Sequence, residues 1–150
     1  NLYPDHYLAE KAYFQLAQVY QKMVSGPQYD QGSTLKALNF YEDYLILYKQ
    51  PPAKDLNESP DDYKVRVNEF KNRRDLAEKG RAAMRATLAA SKLEIGNFVE
   101  NYGKYFITRW RDLGSLPAMQ FYNEAITIAP ESEVARDAEK KILNLRSDIE

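Results

Sequence analysis

Residues 37–43 read ALNFYED and residues 118–124 read AMQFYNE, so two segments of this 150-residue chain share one order of side-chain types. In both segments a small residue is followed by a long apolar residue, an amide, Phe, Tyr and two polar residues. The match continues with Leu45 opposite Ile126 and with Leu47 opposite Ile128. Self-similarity of this kind is typical of proteins built from repeated supersecondary units. We therefore predict a repeat architecture.

A second pair of segments also repeats, and each copy follows a proline. The matching residues stand 5, 8 and 12 positions after the proline, which are offsets that share one face of a helix. They are Ala9, Ala12 and Leu16 after Pro4, and Ala135, Ala138 and Ile142 after Pro130. Each copy should therefore present a stripe of small residues to a neighbouring helix.

Apolar periodicity and breaker residues predict about five helices and no strand. The predicted helices cover residues 5–24, 34–49, 61–102, 115–129 and 132–149. Ser33 and Ser132 are the predicted N-caps, and Pro117 falls in a first turn, where proline is tolerated. Gly80 leaves open whether 61–102 is one helix or is kinked or broken there. Residues 103–114 are predicted to be an aromatic-rich connection.

We predict that these helices pair in the manner of tetratricopeptide repeats. Such repeats are helix–turn–helix units that have small residues where the two helices approach closely and a proline after the second helix. The predicted fold is thus all-α, with antiparallel helix pairs in a short right-handed solenoid forming one domain over residues 1–150. Its repeat units cover about 5–49 and 82–130, and a capping helix follows at 132–149. The expected signature residues are Tyr13, Leu16, Ala17, Tyr20, Ala37, Tyr41 and Tyr44 in the first unit, and Ile95, Gly96, Val99, Ala118, Tyr122, Ala125 and Pro130 in the second.

Both units depart from the repeat consensus. The segments 25–33 and 103–114 are longer than usual, and Tyr44 stands where a small residue is expected. We therefore expect the helices beside Tyr44 to lie farther apart than in a regular repeat.

Composition argues against several functions. The chain has 21 basic and 22 acidic residues, whereas nucleic-acid binding depends on a basic excess. It has no Cys and a single His, His6, and it lacks the motifs of phosphate loops and metalloproteases. Glu58, Asp61 and Asp62 lack the spacing of a calcium loop and are better explained by helix capping. We predict no enzymatic activity, no catalytic residue, no cofactor and no metal.

The candidate binding residues are aromatic and basic. Tyr102, Tyr105, Phe106 and Trp110 lie within nine residues, and a segment this apolar either folds back on the core or meets a partner. The basic run over 64–85 is better explained as a solvated helix face than as a surface for acidic partners or lipid headgroups. Seam tyrosines could also point into a groove that takes an extended peptide or a helix. The predicted partner-binding residues are Tyr13, Tyr20, Tyr41, Tyr105, Phe106, Arg109, Trp110 and Arg111.

The sequence also resembles one particular family. KLEIGNF at 92–98, the Trp-Arg pair at 110–111 and SLPAMQFYNE at 115–124 resemble the BamD-type (YfiO- or ComL-like) outer-membrane assembly lipoproteins. YPDHYLAEKA at 3–12 is similar to a joint of the same family. The resemblance covers most of the chain except about 50–75 and the loop tips.

The resemblance implies a domain at the periplasmic face of the outer membrane that assists the assembly of β-barrel proteins without catalysis. Its implied partners are β-barrel assembly components or unfolded outer-membrane protein segments. Contact with the membrane is expected only through an N-terminal lipid anchor on upstream sequence, which we expect to have been removed. The alternative is an adaptor or regulatory repeat domain of a larger cytosolic protein.

Overall fold

A computed structural model describes residue 6 and residues 8–147, and these residues form six helices and no strand. The prediction of an all-α fold is confirmed. The helices are α1 (Ala9–Lys22), α2 (Gly32–Leu47), α3 (Pro60–Phe106), α4 (Thr108–Leu113), α5 (Leu116–Ile128) and α6 (Glu133–Ser147). Tyr3 and Pro4 lie outside the described residues. Pro4 is the proline from which the positions of Ala9, Ala12 and Leu16 were counted above.

The prediction that the long helix ends at residue 102 and that 103–114 only connects two helices is wrong. α3 continues to Phe106, and after one residue the chain forms α4. The backbone N–H of Ile107 donates to the carbonyl of Gly103 at 3.0 Å, so Gly103 does not end the helix. Gly114 follows α4 with a φ of 59°, a backbone conformation that glycine adopts without strain.

α3 runs through Gly80 as one continuous helix, so the long segment is not divided into two helices at that residue. Its start follows the expected chemistry. The hydroxyl of Ser59 accepts a hydrogen bond from the Asp62 N–H at 3.1 Å, and Pro60 occupies the first helical position. Asp61 and Asp62 lie in the first turn, where their charges face the positive end of the helix dipole.

Of the two predicted N-caps, one is correct. The Ser132 hydroxyl accepts a hydrogen bond from the Ala135 N–H at 3.1 Å, directly before α6. Ser33 is not a cap, because α2 already begins at Gly32. There the carboxylate of Asp30 accepts the Gly32 N–H at 3.1 Å, and this local hydrogen bond moves the start of the helix toward the N-terminus.

Contacts divide the chain into two compact units. Unit 1 comprises Asn1–Met23 and Ser33–Met84, and unit 2 comprises Val24–Gly32 and Arg85–Glu150. Each unit is described by itself below.

Unit 1 packs α1, α2 and the first part of α3 in antiparallel order around small residues and aromatic rings. Ala17 and Ala37 are fully buried at the α1–α2 seam. Tyr44 is also fully buried, and its hydroxyl donates to the Glu10 carboxylate at 2.5 Å. Nε of Arg73 donates to the same carboxylate oxygen at 2.9 Å. The large side chain at position 44 is therefore accommodated by a polar network at its tip.

Unit 2 packs the second part of α3 with α5 and α6. Its core contains Ala89, Ala118, Tyr122, Ala125, Ala129, Ala138 and Ile142. Ala135 is fully buried as well, so all three members of the second small-residue stripe face the interior as predicted. An ion pair between Lys92 and Glu124, at 2.7 Å, links α3 to α5 at the surface.

Candidate functional site

The tyrosines that were predicted to bind a partner from α1 and α2 pack between the helices of unit 1 instead. Tyr41 is only 2% exposed, and its hydroxyl donates to Oε1 of Gln21, so its ring is not available to a partner. Tyr13 and Tyr20 are half-buried and pack against Phe40, with ring centroids 6.3 and 5.6 Å apart. Tyr41 is therefore left out of the candidate site, and the other two contribute mainly to the α1–α2 seam.

The exposed aromatic surface lies in unit 2, along the last three turns of α3. Phe98, Tyr102, Tyr105 and Phe106 are 52%, 53%, 73% and 72% exposed, and we call these four residues the aromatic row. Phe98 lies at its centre, because its ring centroid is 5.3 Å from that of Tyr102 and 5.8 Å from that of Phe106. Three of the four rings are thus linked through Phe98, while more than half of each side chain remains open to solvent.

Tyr105 and Phe106 of the predicted site lie on the same exposed end of α3 as Phe98. From the sequence, Phe98 was noted only as part of the family motif at 92–98. The signal was present in the helical spacing of Ile95, Phe98, Tyr102 and Phe106, which follow one another at three or four positions. It was missed because the helix was predicted to end at residue 102.

A shallow groove of about 300 Å³ extends the aromatic row toward the N-terminal part of unit 2. The loop before α2 forms one wall through Pro27 and Tyr29, and α3 forms the other through Ile95 and Phe98. The amide of Gln31 shapes this loop by donating to the carbonyls of Gly26 and Tyr29 at 2.9 and 2.8 Å. The groove therefore has a defined wall on its loop side.

Trp110 does not belong to the aromatic row. It is half-buried and lies over Gly103, where an added β-carbon would come within 2.9 Å of Cε3 of the indole. Gly103 is thus required for the close contact that seats the indole of α4 on α3. The flanking Arg109 and Arg111 are exposed.

A second cavity of about 230 Å³ lies beside Trp110 and has cationic walls. Lys104 and Arg111 line it together with apolar atoms of Pro117 and Leu145. The ammonium of Lys104 also lies 5.2 Å from the centre of the Tyr105 ring, so this cation borders the aromatic row.

The one carboxylate in this cavity already has partners. Glu100 accepts a hydrogen bond from the Tyr122 hydroxyl, and Nζ of Lys141 lies 3.4 Å from the same oxygen. Burial, and then the hydrogen bond to Glu100, raise the pKa of Tyr122 above its ordinary value. In the described part of the chain, neither Lys104 nor Arg111 forms an ion pair.

The cavity in unit 1 is larger, about 540 Å³, and its two arginines are neutralised. Arg66 forms a salt bridge of 2.8 Å with Glu58, and Arg73 forms one of 2.9 Å with Glu10. Within the described residues there is no group of three or more His, Asp or Glu side chains placed to hold a metal ion. These two arginines are therefore less available to an outside ligand than Lys104 and Arg111.

No family model, curated protein or solved structure matches this chain. Among the described residues, no helix has the length and apolar character needed to cross a membrane. The class of protein that the fold defines is an all-α protein built from packed helix pairs.

Proposed function

We propose that the chain is a protein-binding scaffold, and that unit 2 binds a segment of a partner protein along the aromatic row and the adjoining groove. The observation that carries the proposal is the exposure of four neighbouring rings on one helix end, all more than half accessible. Tyr, Phe, Trp and Arg are the residues enriched at protein interfaces. Contiguous exposed apolar surface of this kind marks interaction sites in monomeric proteins.

The size of the patch indicates the strength of binding. Half to three quarters of four aromatic side chains amounts to roughly 400 Å² of apolar surface, since each ring can bury about 150–250 Å². At about 25 cal/mol per Å² its burial contributes roughly 10 kcal/mol before costs. Lost rotational and translational freedom offsets about 4–15 kcal/mol. We therefore expect weak to moderate affinity that depends on further contacts in the groove.

For the biological setting, we propose that the scaffold serves the assembly of outer-membrane β-barrel proteins, with an assembly component or an unfolded outer-membrane protein segment as partner. The support for this setting is the resemblance of residues 92–98 and 115–124 to the BamD-type lipoproteins. The competing proposal is an adaptor domain in the cytosol, and the identity of the bound partner distinguishes the two.

Photo-crosslinking from defined surface positions tests the proposal. A crosslinking amino acid at Tyr102 or Phe106 should capture a discrete partner from the native cell. The matched control is Leu56, an exposed apolar residue in the loop before α3 of unit 1. Capture from both surfaces alike would contradict a binding site on the row. Recovery of cytosolic partners and no envelope protein would remove the proposed setting and leave the scaffold.

A further inference from the structure

The aromatic row borders a local excess of positive charge. The whole chain has a net charge of -1, yet residues 102–113 contain Lys104, Arg109 and Arg111 against the single acid Asp112. In the described part of the chain none of these three cations forms an ion pair. Among the cations that line the cavity of unit 1, Arg66 and Arg73 are each neutralised by a carboxylate of the same unit.

We infer that the partner segment is acidic: it carries Asp or Glu side chains beside its apolar anchors, and Lys104 and Arg111 receive these carboxylates. This inference rests on the proposed function, because it names the chemistry of the partner for the same surface.

The cavity beside Trp110 brings two cations together with apolar side chains. Lys104 and Arg111 both line it, and Trp110, Pro117 and Leu145 supply apolar walls that reduce the access of water. The resident carboxylate of Glu100 is already engaged by Tyr122 and Lys141. An incoming carboxylate would gain charge-assisted hydrogen bonds from two cations, whereas an incoming cation would be repelled.

A membrane surface is a weaker fit for the same residues. Segments that bind anionic lipids usually carry about four to eight Lys or Arg residues. Residues 102–113 carry three together with an Asp. A protein segment can place one carboxylate in a cavity lined by two cations, so the position of Lys104 and Arg111 favours such a segment over a diffuse layer of headgroups.

The only Trp of the chain, Trp110, lies in this cavity and gives the experiment its signal. The probes are three synthetic amphipathic peptides without Trp that share one set of Leu and Phe anchors and carry Glu, Gln or Lys at all other positions. Each is titrated into the intact chain while the fluorescence of Trp110 is recorded. The Glu peptide should bind roughly tenfold or more tightly than the Gln peptide, and the Lys peptide least of all.

Two double variants distinguish a specific effect from general charge. Lys104→Gln with Arg111→Gln should abolish the preference for the Glu peptide while leaving apolar binding to the row. The control, Lys54→Gln with Lys64→Gln, removes two exposed cations of unit 1 and should leave the preference unchanged.

The outcomes separate the inference from the proposed function. Equal binding of the three peptides would overturn the acidic partner while supporting a binding row. Binding of none of them would overturn the inference together with the row as a site. Binding to vesicles of phosphatidylglycerol, with no binding of the Glu peptide, would overturn it in favour of lipid.

Discussion

The ring of Tyr41 lies so close to the backbone of Gly80 that a β-carbon at residue 80 would come within 2.6 Å of Cε2 of the ring. Unit 2 contains the same relationship, because a β-carbon at Gly96 would come within 2.7 Å of Cδ1 of Tyr122. The two tyrosines are the matching positions of the internal sequence repeat. Each unit thus uses a tyrosine of one helix and a glycine of α3 to bring two helices together.

Gly80→Ala should destabilise the protein by roughly 1–2 kcal/mol. Alanine gains about 1 kcal/mol of helix propensity over glycine, but overpacking a filled seam costs about 1–3 kcal/mol or more. The second effect should dominate because the Tyr41 ring is buried and cannot move aside. Chemical denaturation measures the free energy of unfolding.

The exposed neighbour Lys79 provides the control for this prediction. Lys79→Ala should change the free energy of unfolding by no more than about 0.5 kcal/mol. Adding Tyr41→Leu to the Gly80→Ala variant should recover stability, because the smaller side chain leaves room for the new methyl group. Additive effects of the two substitutions would disprove the contact as the cause.

Stability should fall as the pH rises above about 10. Burial raises the pKa of Tyr41, Tyr44 and Tyr122 above the ordinary value of 10.0. The folded state therefore keeps protons that the unfolded chain releases, and the resulting stability is complete below pH 10 and is lost at higher pH. Tyr44→Phe should flatten the alkaline part of the stability profile. Tyr29→Phe, at a 66% exposed residue, should leave it unchanged.

Removing one partner of the Glu10–Arg73 pair should be costly. Both side chains are more than four-fifths buried, and Tyr44 hydrogen-bonds to the same carboxylate oxygen. Arg73→Met should therefore destabilise the protein by about 2–3 kcal/mol, since it leaves a largely buried carboxylate without its cation. Lys140→Met, which breaks the exposed pair with Asp137, should cost less than about 1 kcal/mol. Equal losses in thermal denaturation would contradict this ranking.

Arg66 should protect the loop before α3 from proteolysis. Its guanidinium donates to both carboxylate oxygens of Glu58, at 2.9 and 2.8 Å, and to the carbonyl of Ala53 at 2.9 Å. Arg66→Gln should accelerate tryptic cleavage after Lys54 several-fold, because local opening governs cleavage of loops. Lys64→Gln is the control at an exposed basic residue of the same helix. An unchanged rate at Lys54 would show that these hydrogen bonds do not hold the loop.

Acid should release the same loop. The hydrogen bond from Arg66 holds the pKa of Glu58 below its ordinary value. The contact should therefore persist through the ordinary titration range of a glutamate and be lost as the pH falls further. Tryptic cleavage is not usable at low pH, so hydrogen exchange at residues 53–58 is the appropriate measurement.

Much of the fold could be predicted from local patterns. Pro60, Pro117 and Ser132 mark helix starts through chemistry that involves only a few neighbouring residues. The buried faces of α5 and α6 follow from helical spacing alone, as Ala118, Ala125 and Ala138 show. Local prediction failed at residues 103–114, where Gly103 resembled a helix terminator although it provides the space for Trp110.

The sequence by itself determined the all-α class, the approximate helices and the repeated pairing of tyrosine with small residues, because these depend on periodicity and on breaker residues along the chain. Only the tertiary structure decided that Tyr41 is buried while Phe98 and Phe106 are exposed. Helical spacing defines a face, but it does not say whether another helix covers that face. The ion pairs of Arg66 with Glu58 and of Arg73 with Glu10 likewise depend on which segments folding brings together. The same is true of Lys104 and Arg111, which form no ion pair with any residue that the structure describes.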